Sequence, residues 1–207
     1  MWRLFYPLRY FRLRADGKAH LDLIPTVILA ALMAGPFVAF GGVFFNPDGF
    51  LDKLINVTAA LGGFYVAALV AAATFTHEDL DKVIRSGPIA LIEKDADGHA
   101  ITEYLTRREL ACAIFGYLAF SSILFSFAAA FAVGMSRNST LVSHLIAIGG
   151  DGLYLSIRSI TIILFSLVVA HIATVTGVGL YYLMDRLYRH DRAITTPKGG
   201  GRIDDVA

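Results

Sequence analysis

The residue best able to do chemistry inside an apolar stretch of this chain is His171, which lies in the middle of segment 159–184. An ionisable side chain at membrane depth is energetically costly and is by default a functional candidate. A neutral imidazole there could relay protons, ligate haem or hydrogen-bond a hydroxyl on a facing helix. Haem in a four-helix membrane bundle generally takes paired axial ligands, and the other histidines lie outside the apolar segments. The structural hydrogen bond is therefore the favoured interpretation.

Hydroxyl side chains inside apolar stretches form the second group of candidates. Ser122 and Ser126 are four residues apart and so share one helix face, and Thr174 follows His171 by three residues. Such hydroxyls bond to other helices or line a wet path, although bonding to their own helix backbone is commoner. Neither these residues nor the single cysteine, Cys112, form a nucleophile–base pair or a metal-ligand set. The sequence predicts a protein that is not an enzyme and carries no cofactor.

Four long segments without Asp, Glu, Lys or Arg position these side chains. The chain of 207 residues is 56% hydrophobic and only 17% charged, which is typical of a membrane protein. The four segments are 23–47, 54–76, 110–136 and 159–184. Each exceeds the roughly 20 residues that a helix needs to cross the hydrocarbon core. The predicted fold is an all-α integral membrane protein whose four transmembrane helices form two antiparallel hairpins, at 25–76 and 109–184.

The distribution of Lys and Arg predicts how the chain is threaded through the membrane. Five of these residues lie in the N-terminal segment 1–24, five in the loop 77–108 and five in the tail 185–207. The only others are Lys53, Arg137 and Arg158. Because short loops rich in basic residues stay in the cytoplasm, both termini and the loop 77–108 are expected on the cytoplasmic side of the inner membrane.

Two further segments are expected to lie at the membrane surface. The segment 1–24 interleaves aromatic residues with arginines, a composition that fits the headgroups of anionic lipids. It also fits nucleic acid, but the closeness of a spanning helix favours lipid, so no direct nucleic-acid binding is predicted. On the outer side, the loop 136–158 contains the apolar run 141–148, which is too short to span and is interpreted as interfacial or re-entrant.

The predicted cytoplasmic loop contains a well-marked turn. Residues 89–103 form two β-compatible runs around Asp95 to Gly98, which favours a small β-hairpin. The acidic residues also resemble a calcium loop, but the first and twelfth positions would be Glu93 and Tyr104, where Asp and Glu are required. We therefore interpret the segment as a turn. In the favoured functional class this turn docks a soluble protein. Its candidate residues are Asp95, Asp97, Gly98 and His99.

Small residues at four-residue spacing predict where helices approach closely, because they let a neighbouring backbone come near. The candidates are Ala59, Gly63, Ala67 and Ala71 in the second helix and Ala130 with Gly134 in the third. The sequence leaves open whether the packing partner belongs to the same chain. In the first helix Pro36 predicts a kink. This kink is either a hinge or one of the prolines common in membrane helices, and the second interpretation is favoured.

Three functional classes remain open. The favoured class is a non-enzymatic, homo-oligomeric membrane protein that docks a cytoplasmic partner as a sensor or anchor. The second is a small ion channel or transporter, and the third a haem-binding electron-transfer subunit. The residues along a channel path would be Pro36, Ser122, Ser126 and His171. The absence of acids within the spans argues against a proton-coupled transporter.

In its layout the chain resembles the small membrane subunit of bacterial anti-phage defence systems of the Kiwa type. The shared features are four spans, both ends inside, a sizeable middle cytoplasmic loop and about this length. The resemblance implies a homo-oligomer that detects phage attack at the envelope and works with a cytoplasmic DNA-binding effector.

Overall fold

The computed structural model of the chain describes residues 10, 13–14, 18–46, 48–74, 90–94, 100–136 and 139–188. Four helices make up most of this part: α1 (Lys18–Phe40), α2 (Phe50–Thr74), α3 (Arg107–Ser136) and α4 (Ser139–Tyr188). Each contains a stretch long and apolar enough to cross a membrane: Asp22–Phe40, Phe50–Thr74, Arg107–Ser136 and Ile146–Tyr181. The prediction of a multi-pass membrane protein with four spanning helices is confirmed at the level of length and composition.

Local sequence signals fix where α2 and α3 begin. A tight turn precedes α2, in which the Gly49 amide donates to the Asn46 carbonyl at 2.8 Å and Asp48 has a φ of 64°. A reciprocal capping box starts α3. In it the Thr106 amide donates to Glu109 Oε2 at 2.9 Å, and the Glu109 amide donates to Thr106 Oγ1 at 3.3 Å. At the start of α2 the Phe50 and Leu51 amides donate to the Val43 and Phe44 carbonyls at 3.2 and 3.0 Å. Both helix starts therefore satisfy amides that would otherwise be left unpaired.

The longest helix, α4, bends at Gly150, whose φ of 67° and ψ of −174° are not helical. Glycine adopts a positive φ without the clash that a Cβ would cause. The chain is helical on both sides of Gly150 from Ser139 onward, so the segment predicted to connect the third and fourth spans is largely helical, and its outer, interfacial or re-entrant location stays a prediction. The apolar run 141–148 forms the short arm of this helix. At Gly150 the two helical arms of α4 meet at a kink.

The packing of the helices differs from the two predicted hairpins. The most extensive contact joins α2 to α3, followed by α1 with α4 and then α3 with α4, while α1 and α2 contact each other little. The pair α3 and α4 are thus neighbours, but α1 packs on α4 and not on α2. The reason lies in the buried row of α1, Thr26, Ala30 and Ala34, whose small side chains allow a close approach to α4.

A three-stranded antiparallel sheet lies outside the helices. It consists of β1 (Leu13–Arg14), β2 (Ala90–Lys94) and β3 (Ala100–Tyr104), with β2 in the centre. Strands β2 and β3 occupy the segment 89–103 in which the sequence predicts a hairpin, and the cytoplasmic location of that hairpin stays a prediction. Because β1 precedes α1 while β2 and β3 connect α2 to α3, the sheet lies where α1 begins and α2 ends. We call this the sheet end of the bundle, and the opposite end, with residues 41–49, the turn end.

Candidate functional site

Tyr10 is the aromatic residue that joins the segment before α1 to the helical bundle. Its side chain is only 3% exposed. Its ring stacks on that of Tyr117 of α3, with centroids 4.8 Å apart and planes at 14°. Its hydroxyl donates to Oδ2 of Asp22 on α1 at 3.0 Å. One side chain from the segment before α1 therefore links α1 to α3 at the sheet end.

Asp22 is held from two directions in the first turns of α1. Besides the bond from Tyr10 to its carboxyl group, its backbone carbonyl accepts a hydrogen bond from Thr26 Oγ1 at 2.6 Å. The other carboxyl oxygen, Oδ1, is buried and has no hydrogen-bond partner within the described part of the chain. Leaving a buried acceptor unsatisfied costs about 1–3 kcal/mol, and such a group in a native structure calls for an explanation.

His171 belongs to the same group of side chains. Its imidazole meets the ring of Tyr117 edge to face, with centroids 5.8 Å apart and planes at 69°. The histidine predicted at membrane depth on α4 is therefore placed beside α3. We name Tyr10, Asp22, Tyr117 and His171 the Tyr10 cluster. It brings two phenols, a carboxyl group and an imidazole together from three helices and the segment before them.

The chemistry open to the Tyr10 cluster is hydrogen bonding and proton exchange. Among the residues that the structure describes, no group of three His, Cys, Asp or Glu side chains is placed to hold a metal ion. Sequence reasoning found His171 but missed Tyr10, Asp22 and Tyr117. Asp22 offered a signal, as an acid one residue before an apolar segment. Tyr10 offered none, because one aromatic among several beside arginines fits a lipid anchor equally well.

Ser126 and Ser122, two of the predicted polar residues, lie at the interface of α2 and α3. The Ser126 hydroxyl lies 3.1 Å from Thr58 Oγ1 of α2 and donates to the Ser122 carbonyl at 2.9 Å. Ser122 is fully buried, and its own Oγ has no hydrogen-bond partner among the described residues. A second interhelical bond joins the hydroxyls of Tyr65 and Thr176 at 2.6 Å, which connects α2 to α4. These interhelical hydrogen bonds hold α2 against α3 and α4.

The Thr58–Ser126 pair predicts a measurable coupling between α2 and α3. We expect Thr58→Val and Ser126→Ala each to weaken the bundle slightly. Their double-mutant cycle should give a coupling of about 0.6 kcal/mol and no more than about 1.7 kcal/mol, the range for hydrogen bonds between membrane helices. Unfolding by SDS in mixed micelles measures it. Ser143→Ala, which removes a hydroxyl that donates to the Thr140 carbonyl of its own helix, is the matched control and should show no coupling with Thr58→Val.

The small residues predicted for helix packing mostly point away from the bundle. Ala71 is half-buried, whereas the other five are exposed within the chain: Ala59, Gly63, Ala67, Ala130 and Gly134. The glycine that does mediate packing is Gly62, where an added Cβ would lie 3.5 Å from Ser122 Cβ. Spacing alone did not indicate Gly62, because α2 carries small residues on several of its faces, and the role of the predicted row in packing against a second copy stays a prediction.

The remaining predicted residues fall in three places. Thr174 is 9% exposed and lines a groove between α1 and α4. Pro36 lies inside helix α1 and is exposed in the single chain, and its role as a hinge or pore-lining residue stays a prediction. The docking candidates lie outside the described residues, and their role stays a prediction. They are Asp95, Asp97, Gly98 and His99.

The turn end is closed by polar bonds between helices. Arg158 of α4 donates from Nη2 to the Gly42 carbonyl at 3.0 Å, just beyond the end of α1. A cation at this position also complements the negative end of the helix dipole. The Ser136 hydroxyl of α3 donates to the Phe45 carbonyl at 3.2 Å. Through Gly42 and Phe45, the chain between α1 and α2 is therefore bonded to both α4 and α3.

No family model, no curated protein and no solved structure matches this chain.

Proposed function

We propose that this chain is a non-enzymatic protein of the inner membrane that holds a soluble cytoplasmic partner at its three-stranded sheet. The observation that carries the proposal is the burial of Tyr10 against Tyr117 and Asp22. It ties the sheet to the membrane-spanning bundle. A sheet attached in this way moves together with the membrane-spanning helices, which suits a membrane sensor or anchor.

The connection from the bundle to the sheet is short. Only two residues separate Tyr10 from β1, whose Leu13 and Arg14 pair with Leu91 and Ala90 of β2. A two-residue strand has little stability of its own, since isolated short strands are marginal in water. Anchoring Tyr10 offsets part of this weakness. A platform ordered before binding also loses less conformational entropy of its own when a partner docks.

Charge supports a cytoplasmic location for the sheet. The two segments that contribute strands, 1–24 and 77–108, each contain five of the eighteen Lys and Arg residues. Basic loops of this length stay in the cytoplasm. Because β1 and β2 are hydrogen-bonded neighbours, both segments lie on one side of the membrane.

The homo-oligomer belongs to the same proposal. The exposed row Ala59, Gly63 and Ala67 on α2 is of the kind that lets a second membrane helix pack closely. Within one chain this row contacts no other described helix closely, and a Cβ added at Gly63 would meet no atom within 4 Å. The layout resemblance to Kiwa-type systems supplies the identity of the partner in this proposal. The partner would be a cytoplasmic DNA-binding effector that works with this protein when phage attack is detected at the envelope.

Tyr10 provides the first test. Its stacked ring and hydrogen bond together contribute about 2 kcal/mol. Tyr10→Ala should therefore let the N-terminal segment open about 30-fold more often, and Tyr10→Phe should have a smaller effect because it keeps the stacking. Limited trypsin digestion at Arg9, Arg12 and Arg14 of the purified protein measures the opening. Phe40→Ala, which removes an 88% exposed aromatic side chain at the turn end, is the control.

Docking is tested by co-purification of the tagged protein from its native host. Replacing Asp95 to Gly98 by a neutral linker should release the partner while the protein still inserts and assembles, and Tyr10→Ala should weaken its retention. Phe40→Ala should retain the partner fully. Retention of the same partner by both the linker variant and Tyr10→Ala would contradict docking at the sheet.

A small ion channel is the second candidate, favoured by the buried hydroxyls of Ser122 and Ser166, which have no hydrogen-bond partner among the described residues. Such groups could exchange bonds with a permeating ion or water. Purified protein in liposomes should then conduct, and Ser126→Leu or His171→Ala should change the conductance. Liposomes that contain the purified protein and show no ion conductance would contradict this function.

A further inference from the structure

We propose that the short arm of α4, the part before Gly150, is an amphipathic helix that binds the lipid surface at the turn end of the bundle. Its large apolar side chains are open to the surroundings of the single chain: Ile146 is 39% exposed and Ile148 is 79% exposed. The apolar stretch that begins at Ile146 continues into the membrane-spanning part of α4 and ends at Tyr181. The surface of the arm is therefore continuous with a surface that lipid covers.

Two hydrogen bonds place both ends of the segment between α3 and the long part of α4 at the turn end. Ser136 of α3 donates to the Phe45 carbonyl, and Arg158 of α4 donates to the Gly42 carbonyl. Gly42 and Phe45 are close in the chain and lie no more than about 11 Å apart. The segment 137–157 therefore leaves the bundle and returns to it at the same end, and it adds no further membrane span.

The part of α4 after Arg158 is long enough to cross the membrane alone. From Arg158 to Tyr181 the helix rises about 35 Å, whereas the hydrocarbon core is about 30 Å thick. The whole apolar stretch Ile146–Tyr181 has 36 residues. The residues of this stretch that precede Arg158 are therefore not needed for the span and are available for another contact with the bilayer.

The kink at Gly150 argues against a re-entrant course through the hydrocarbon core. Gly149, Gly150 and the acidic Asp151 are exposed, and the backbone of Gly150 is not helical. Irregular backbone that faces lipid does not occur within the hydrocarbon region, because its polar groups would find no partner. A charged side chain at the bilayer centre is costly as well. The kink therefore lies at the level of headgroups or water, and the apolar side chains beside it reach the boundary of the acyl chains.

The short arm carries its polar and apolar side chains on different faces. Thr140, Ser143 and His144 share one face through their spacing of three and four residues. Val142 and Ile146 are four residues apart and lie on the other side of the helix. The arm contains no Lys, Arg, Asp or Glu, so its attachment comes from apolar burial. A helix of this kind lies in the plane of the interface, with its apolar face about 5–10 Å into the boundary of the acyl chains.

Tryptophan quenching in vesicles tests this placement. Trp2, the single tryptophan, is replaced by phenylalanine, and Ile146→Trp places a reporter on the apolar face of the arm. The vesicles contain phosphatidylcholine that is brominated either close to the headgroup or close to the bilayer centre. The ratio of quenching by the first lipid to quenching by the second should exceed one at Ile146→Trp. It should fall below one at the control Phe127→Trp, a 74% exposed position within the span of α3.

Two more reporters complete the experiment. Val142→Trp lies on the same face as Ile146→Trp and should give the same result, so misfolding of one variant leaves the other informative. His144→Trp, on the polar face, should be quenched by iodide present on both sides of the vesicle membrane, from which Ile146→Trp should be largely protected.

Three outcomes at Val142→Trp and Ile146→Trp would overturn the proposal. Stronger quenching by the lipid brominated near the bilayer centre would show a re-entrant course. Quenching by iodide without quenching by either lipid would place the arm in water. Protection from all three quenchers would show that a second copy of the chain covers the arm.

Discussion

Tyr65→Ala is expected to destabilise the helical bundle by about 3–5 kcal/mol, the cost of removing a large aromatic side chain from a packed core. Tyr65 is fully buried, and its hydroxyl lies 2.6 Å from Thr176 Oγ1. The substitution would leave a cavity between α2 and α4 and remove their interhelical hydrogen bond. SDS-induced unfolding in mixed micelles measures the loss.

Tyr65→Phe separates the two contributions. It keeps the ring and removes only the hydroxyl, while Thr176 Oγ1 still donates to the Ile172 carbonyl at 2.7 Å. The expected cost is therefore only about 0.6 kcal/mol. Phe64→Ala is the matched control, because the neighbouring aromatic side chain is 58% exposed and should cost little. If Tyr65→Ala and Phe64→Ala destabilised the protein equally, the position of Tyr65 in the bundle would be wrong.

Gly62→Leu is expected to prevent α2 from packing against α3. An added Cβ at Gly62 would already lie 3.5 Å from Ser122 Cβ and 3.8 Å from Ile123 Cγ1, so the rest of a leucine side chain has no room. Overpacking of this kind costs about 1–3 kcal/mol or forces the helices apart. Gly62→Ala should be tolerated, since its Cβ makes ordinary contacts. Thermal unfolding followed by size-exclusion chromatography distinguishes the two variants.

Gly63→Leu is the matched comparison for Gly62→Leu, and a different effect on folding is expected. At Gly63 an added Cβ meets no atom within 4 Å. Gly63→Leu should therefore leave the single-chain fold intact. Under the proposed function it should block the homo-oligomer, which crosslinking in membranes would detect. A folded oligomer that tolerates Gly63→Leu would contradict the use of this α2 face, whereas unfolding by Gly63→Leu would contradict the position of α2 itself.

The spans could be predicted from sequence because their signal is local. A run of about 20 uncharged residues must be helical in a bilayer, where each backbone group has to find a partner within its own segment. The same locality explains how His171 and Ser126 were identified as unusual residues. Each is polar within an apolar run, whichever helix it faces.

The neighbours of each helix were decided only by tertiary packing. α1 and α2 are adjacent in sequence, yet α1 packs on α4, because its small row Thr26, Ala30 and Ala34 allows the closer approach. Small residues are so frequent in α2 that spacing alone could not separate Gly62, which packs on Ser122, from the exposed Gly63. Likewise, nothing local in the sequence distinguishes Tyr10 from the aromatic residues around it. Its burial depends on Asp22 and Tyr117, which folding brings together from α1 and α3.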